Sequence, residues 1–211
     1  YDVFRKLSVV GFCLTSFATV SFLTLFQDFI TILYTDHYLL DFKVVIACSL
    51  NFYMVNILQP VYCYRNTVGL FKHTKRIMIY TAIVNIVLSV ILGKIWGLFG
   101  ILFATFLSRL VTNFWYEPIK LYRNYFHRSP GEYFAGQLWN AVITALMAAA
   151  LFAISIPLGH INIYVRFLIK IVLCVAIPFV TYLIRFRKNE VFMMALEVCR
   201  RVIKRRKDRK E

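Results

Sequence analysis

Long apolar runs separated by short loops constrain this chain more than any other feature of its sequence. A helix of about 20 apolar residues is long enough to cross the hydrocarbon layer of a bilayer, which is roughly 30 Å thick. Helices also satisfy their own backbone hydrogen bonds where no water is present. We therefore predict an all-α, polytopic bundle of about six membrane-spanning helices, at residues 8–26, 42–64, 77–92, 97–116, 137–156 and 164–184.

The Lys and Arg residues are concentrated in every second connection between these runs. Short loops rich in Lys and Arg face the cytoplasm. The alternation therefore predicts a multi-pass protein with both ends of this chain in the cytoplasm. The basic segments are 5–6, 65–76, 120–128 and the tail from Arg185, whereas 34–41, 93–96 and 157–164 hold only Lys94.

Composition supports a membrane protein and argues against a nucleic-acid partner. Hydrophobic residues make up 60% of the 211 residues, well above the roughly 45–50% of a soluble domain. A net charge of +15 can indicate nucleic-acid binding. Here most of the positive charge lies in the predicted cytoplasmic segments, where anionic lipid headgroups attract it. The bilayer, and not nucleic acid, is the expected partner.

The ends and the cysteines add two expectations. The chain begins at Tyr1 instead of Met and has no signal-peptide pattern, so we expect an N-terminal portion to precede it. The five cysteines show no CxxC spacing and are predicted to be free thiols.

Breakers and connections divide the predicted spans. Pro60 predicts a kink in the second span, and the short segment 93–96 forces an antiparallel hairpin between the third and fourth spans. The polar, turn-prone segment 120–136 predicts a boundary. We expect four helices in 1–126, two accessory helices in 127–187, and in 188–211 a basic tail that forms an amphipathic cytoplasmic helix and ends in disorder.

Arg109 is the side chain most typical of a functional site. It lies about 18 Å along the predicted fourth span from Gly97, close to the membrane midplane. A charge at the centre of a membrane helix costs about 2.5–3.5 kcal/mol or more, and such residues usually face a bundle interior or an aqueous cavity. A carboxylate outside this chain, or the carbonyls at a helix end, is the alternative partner.

The predicted fourth span has one small, polar face and one bulky face that resembles a lipid-facing surface. Gly97, Gly100 and Ala104 on the small face permit close helix packing. Arg109 and Asn113 border it, and amides and hydroxyls recur in the second and third spans. We predict a polar, cationic cavity for an anionic, hydroxyl-rich substrate, although hydrogen bonds between helices also explain each amide. The candidate residues are Arg109, Asn113, Ser108, Asn85, Ser89, Asn56 and Gln59.

The sequence shows no pattern typical of catalysis or metal binding. The four histidines lie in loops or at span ends without ligand spacing, so we expect neither an enzyme nor a metal or other cofactor. Asp28, Asp36, Asp41 and Glu117 are predicted near the membrane interfaces. Because ion-coupled transport normally uses buried carboxylates, any coupling H+ or Na+ is expected to bind residues outside this chain.

Several motifs resemble the lipid-linked oligosaccharide flippases, the O-antigen and capsular polysaccharide exporters of the multidrug and oligosaccharide exporter superfamily. In the third and fourth spans these are residues 85–89 (NIVLS), 96–101 (WGLFGI) and 104–105 (AT), with Ser108, and then 114–118 (FWYEP). Upstream, residues 29–34 (FITILY) with Tyr38 and Leu39 resemble the family's extracellular hairpin. That family commonly has a glycine near Thr35, so this turn departs from the pattern. The likeness covers 4–123 most clearly.

The resemblance implies a fold and a function. Such proteins have two six-helix lobes around a central cavity, often with two further C-terminal helices, so this chain corresponds to the last four helices of the second lobe and the two additional ones. The missing N-terminal half would be its partner. The implied activity is movement of an undecaprenyl-pyrophosphate-linked glycan from the inner to the outer leaflet of the bacterial cell membrane, for polysaccharide or lipopolysaccharide biosynthesis.

Three alternatives are open at this point. Multidrug exporters of the same superfamily share the glycine-rich hairpin, although an arginine in the cavity would repel a cationic drug. A polysaccharide polymerase or acyltransferase would need large outer loops or a set of His and carboxylate residues. A structural membrane subunit is disfavoured by the polar helix faces.

Overall fold

The computed structural model describes residues 1–34, 36–69 and 71–186, and every regular element in these ranges is helical. The predicted all-α fold is therefore confirmed. The predicted amphipathic tail at 188–211 lies outside the described residues. The α-helices are α1 (Asp2–Tyr34), α2 (Phe42–Ile57), α3 (Gln59–Val68), α4 (Phe71–Val111), α5 (Asn113–Leu121), α6 (Gly131–Ser155) and α7 (Ile163–Phe186).

The helices are long and apolar enough to make this a multi-pass membrane protein. By length and composition, five helical stretches can cross a bilayer: Asp2–Tyr34, Phe42–Val68, Thr74–Phe126, Gly131–Ser155 and Ile163–Phe186. The third is 53 residues long, more than twice the length that one crossing needs. The contacts within it explain this excess.

Helix α4 is two antiparallel legs joined at Gly97. The backbone of Gly97 has φ 60° and ψ −136°, a conformation outside the helical region that glycine adopts without steric cost. Across the turn, Thr81 lies beside Thr112, and Asn85 beside Ser108. Moving four residues forward along the first leg therefore corresponds to moving four residues backward along the second, which is the pattern of antiparallel helices. The predicted hairpin is confirmed, and the described residues form six legs of membrane-spanning length.

The predicted kink in the second span is also confirmed. Helix α2 ends at Ile57, and Leu58 separates it from α3, in which Pro60 occupies the first turn. A proline is tolerated there because the amide it lacks would have no partner within the helix. Gly11 of α1 lies against this proline, and a Cβ at position 11 would stand 3.2 Å from Pro60 Cγ. The break therefore fits α1 closely against α2 and α3.

The predicted end of the fourth span at Glu117 and Pro118 differs from the structure. After an irregular residue, Thr112, helix α5 continues to Leu121 with Pro118 inside it, and a π-helical turn follows over Tyr122–Phe126. Glu117 is buried inside the bundle, near the basic face. The helix continues because packing of Leu121 and Tyr122 into an apolar cluster stabilises these turns.

Helix α1 is the centre of the bundle. It packs against α2 and α7 over much of its length and also against α6 and α3, whereas α4 packs against α2 and α5. One apolar cluster joins α1, α2, α6 and α7 around Phe12, Met54 and Leu151. The two predicted accessory helices, α6 and α7, are thus attached to the rest through α1 and, by way of this cluster, through α2.

The two ends of the bundle differ in charge. The basic face contains the starts of α1, α4 and α6 and the ends of α3, α5 and α7, and it carries Arg5, Arg65 and Arg123. The opposite face, which we call the hairpin face, contains the Gly97 turn, the ends of α1 and α6 and the starts of α2 and α7. The sidedness of the Lys and Arg residues predicts that the basic face is cytoplasmic.

Candidate functional site

The two legs of α4 are joined by polar side chains at their seam. Asn85 Nδ2 donates to Ser108 Oγ at 3.1 Å, and Ser89 Oγ donates to Asn85 Oδ1 at 3.3 Å. The hydroxyl of Thr81 lies 2.8 Å from Thr112 Oγ1 and 2.9 Å from Asn113 Oδ1. Four predicted cavity residues, Asn85, Ser89, Ser108 and Asn113, therefore belong to one hydrogen-bonded seam.

Small residues allow the two legs to approach this closely. A Cβ at Gly100 would overlap the carbonyl group of Leu92, and one at Gly93 would stand 2.9 Å from Ile101 Cγ1. Ala104 and Ser108 are fully buried at the same seam. The predicted role of the small face in close helix packing is confirmed for Gly100 and Ala104, whose partner is the other leg of the hairpin. Gly97 instead forms the turn, and a Cβ there would meet no atom within 4 Å.

Arg109 lies beside this seam, halfway along the second leg. Its side chain is half-buried, and no carboxylate among the described residues forms an ion pair with it. The hydroxyl of Tyr62 lies beside Asn113 and interacts electrostatically with Arg109. An uncompensated guanidinium at this depth can bind an anion or a carboxylate from another segment, because buried charges require a partner.

A buried ion pair lies nearer the basic face. Arg65 Nη1 donates to Glu117 Oε1 at 2.8 Å, and the two side chains are 10% and 4% exposed. The guanidinium also lies over the ring of Tyr62, 4.9 Å from its centroid. These contacts tie α3 to α5. Arg65 balances the charge of the Glu117 carboxylate within the pair.

Asn56 and Gln59 are placed apart from the hairpin seam. Asn56 Nδ2 donates to the carbonyl of Phe52 in its own helix, and Gln59 is exposed at the α2–α3 break. The amide that does cross between helices is Asn51, whose Nδ2 donates to the Leu102 carbonyl at 2.7 Å. Sequence reasoning missed Asn51, although its amide in an apolar run was a visible signal.

The predicted lipid-like face of the fourth span is wrong in part. Phe106, Leu110 and Phe114 pack against the central apolar cluster and do not face outward. The outward surface is instead the first leg, where Ile79, Ile83 and most other apolar side chains are exposed. The reason is the hairpin itself: the second leg lies between the first leg and the bundle, so its Phe106, Leu110 and Phe114 side chains are turned toward the cluster.

A charged triad near the hairpin face was also missed. Asp28 of α1 lies 3.0 Å from Arg166 Nη2 and 2.7 Å from Lys170 Nζ, both in α7. The side chain of Asp28 is only 7% exposed, so this carboxylate is enclosed within the bundle near the hairpin face. The spacing of Arg166 and Lys170, four residues apart on one face of an apolar helix, was the signal.

An open cavity of about 980 Å³ lies at the basic face between α1, α6 and α7. Four cationic side chains and two acidic ones line it, together with polar groups that include Gln137 and Asn140. Its cationic surplus suits the anionic headgroups of a membrane. The charged lining residues are Asp2, Arg5, Lys6, Arg128, Glu132 and Arg185.

Among the described residues, no cluster of His, Cys, Asp and Glu has the composition of a metal site. No family model matches the chain, and neither a curated protein nor a solved structure matches it. A function is therefore proposed from the residues and their geometry, together with the sequence motifs of the hairpin.

Proposed function

We propose that this chain is the C-terminal portion of a bacterial inner-membrane flippase that moves an undecaprenyl-pyrophosphate-linked oligosaccharide to the outer leaflet. The observation that carries the proposal is Arg109: a half-buried cation at mid-helix depth, without an ion pair among the described residues. The motifs of the α4 hairpin, which resemble those of such flippases, lie on the same element.

The surroundings of Arg109 suit an anionic, hydroxyl-rich substrate. Guanidinium groups form charge-assisted, bidentate hydrogen bonds with phosphate oxygens. Asn113 and the Tyr62 hydroxyl lie on the same flank of the hairpin, and both can exchange hydrogen bonds with sugar hydroxyls. The hairpin seam fixes this flank in place, because Asn113 is itself held by Thr81.

The alternatives predict different chemistry at this position. A drug exporter for cations would meet electrostatic repulsion at Arg109. A polymerase or acyltransferase would need an acid–base or nucleophilic pair. The buried carboxylates of the described residues, Asp28 and Glu117, are each already bound to a cation, which disfavours them as general bases.

The proposal is tested by replacing Arg109 in the intact protein. In a strain that depends on it for surface polysaccharide, Arg109→Ala should reduce surface glycan at least tenfold, since a charge-assisted contact of about 1.5–3 kcal/mol is lost. Arg109→Lys should retain part of the activity because the charge remains. Arg123→Ala, which removes an exposed arginine at the basic face, is the matched control and should have no effect.

Membrane levels of each variant must equal those of the wild type, so that a folding defect is recognised. Unchanged surface glycan in Arg109→Ala would overturn the assigned role of this residue. If the protein restores drug resistance but not glycan export to deletion strains, the drug-exporter alternative is correct instead.

A further inference from the structure

The Asp28–Arg166–Lys170 triad holds more positive than negative charge. Each carboxylate oxygen of Asp28 faces one cation, at 3.0 Å for Arg166 and 2.7 Å for Lys170. Neither cation has a second carboxylate partner among the described residues. One carboxylate cannot neutralise two cations, so the triad keeps a surplus of one positive charge.

This surplus is partly removed from water. The side chains of Arg166 and Lys170 are 22% and 12% exposed, and Asp28 is 7% exposed. The Nε atom of Arg166 is buried and has no hydrogen-bond partner among the described residues. A desolvated charge is costly unless an opposite charge compensates it, and the Arg166 guanidinium still has donors to offer.

The position of the triad identifies the source of a counter-anion. Arg166 lies in the first turn of α7, and Asp28 lies six residues before the end of α1, or about 9 Å from that helix end. Side chains at this depth reach the headgroup level of a bilayer by extending toward the interface. Phosphate esters of lipids are the anions present there in highest concentration.

We propose that the triad is a binding site for the phosphate group of a membrane lipid in the leaflet at the hairpin face. Arg166 donates to the phosphate oxygens, and Lys170 supplies the second positive charge. Asp28 holds both cations in place and limits the net charge to one. The site does not depend on the transport proposed above, because it lies on α1 and α7 and not on the α4 hairpin.

The test uses the full-length protein purified in a maltoside detergent. Separate samples are incubated with phosphatidylglycerol, with a phosphate-free galactosyl diacylglycerol, or with inorganic phosphate in buffer. Native mass spectrometry counts the lipids that remain bound. We expect the wild type to retain phosphatidylglycerol, and Arg166→Gln to lower its apparent affinity about tenfold, the effect of one charge-assisted hydrogen bond. Lys94→Gln, which changes an exposed cation near the Gly97 turn, is the matched control and should bind as the wild type.

Two further variants separate a ligand site from a purely structural ion cluster. Asp28→Asn removes the competing carboxylate and should raise the affinity for phosphatidylglycerol, together with a larger thermal shift on lipid addition. The neutral triple variant Asp28→Asn, Arg166→Gln and Lys170→Gln leaves no unpaired buried charge and should fold, with phosphatidylglycerol no longer preferred over the galactolipid.

Each result decides the question. Equal retention of the phospholipid and the galactolipid by the wild type, or no change in Asp28→Asn and Arg166→Gln, would overturn the proposal. Saturable binding of inorganic phosphate that displaces the lipid would show a free-anion site and would overturn the assignment to a lipid.

Discussion

Two buried ion clusters among the described residues differ in charge balance. At the basic face, Arg65 and Glu117 form a one-to-one pair that ties α3 to α5. Near the hairpin face, Asp28 shares its two oxygens between Arg166 and Lys170. The first cluster is complete without any further ion, whereas the second retains a positive charge that a ligand can satisfy.

This difference shows how similar residues serve different purposes in a membrane bundle. A balanced buried pair is costly to break, although apolar residues can often replace both partners without loss of stability. An unbalanced cluster tolerates loss of one cation because the carboxylate keeps the other. Arg109 forms no ion pair with a carboxylate among the described residues. It is therefore the cation whose charge an anionic substrate would compensate most.

The largest effect is expected when the balanced pair is broken. Arg65→Gln should lower the free energy of unfolding by about 3–5 kcal/mol, because Glu117 would be left buried without a cation. Equilibrium unfolding in mixed detergent micelles measures this. Arg65→Met combined with Glu117→Leu should recover most of the loss. A double variant as unstable as Arg65→Gln would show that packing, and not charge, dominates at this site.

The next effect concerns the contact between the two legs of the hairpin. Gly100→Ala should cost about 1–3 kcal/mol because the added methyl group would overlap the backbone of Leu92. Gly136→Ala is the matched control, since a Cβ there would meet no atom within 4 Å. It should be neutral or stabilising, because alanine favours a helix over glycine. Equal unfolding energies for the two variants would contradict the hairpin packing.

A smaller loss is expected in the unbalanced triad. Arg166→Gln should cost about 1 kcal/mol in phosphate-free detergent, since Lys170 continues to neutralise Asp28 and only one hydrogen-bonded partner is lost. The same unfolding measurement on Arg166→Gln and Arg65→Gln compares the stability of the two ion clusters directly. A loss as large as that of Arg65→Gln would mean that Arg166, and not Lys170, is the essential partner of Asp28.

The smallest effect is expected at the hydrogen bond between the legs. In a double-mutant cycle of Asn85→Ala and Ser108→Ala, the coupling energy should be about 0.6 kcal/mol, which is typical of side-chain hydrogen bonds between membrane helices. The Asn51 amide, which crosses from α2 to the Leu102 carbonyl, provides the reference, since Asn51→Ala and Ser108→Ala should be additive. A coupling energy near zero for Asn85 and Ser108 would show that these two side chains do not form a hydrogen bond across the seam.

The sequence predicted those parts of the fold that depend on local interactions along the chain. Apolar runs predicted the helices, Pro60 the break between α2 and α3, and the short segment before Gly97 the hairpin. These features depend on the chain's own backbone or on the solvent, so nearby residues contain the information.

Tertiary contacts were harder to predict. The burial of Asp28 depends on cations that lie more than a hundred residues further along the chain, and helix periodicity alone does not say which helices are neighbours. For the same reason the bulky face of the second leg was predicted to face lipid: its pattern is equally compatible with lipid and with the central cluster that it contacts. The proximity of Arg109, Asn113 and Ser108 was predictable because all three lie close together in the predicted fourth span.

The fold-back of α4 at Gly97 places the Gly97 turn and the π-helical turn at Tyr122–Phe126 at opposite faces of the membrane. Cysteine accessibility tests it most directly. In a cysteine-free background, Lys94→Cys and Arg123→Cys are labelled in intact cells with a membrane-impermeant maleimide. We expect position 94 to be labelled from outside the cell, and position 123 to be labelled only after permeabilisation. Labelling of both positions from the same side would contradict it.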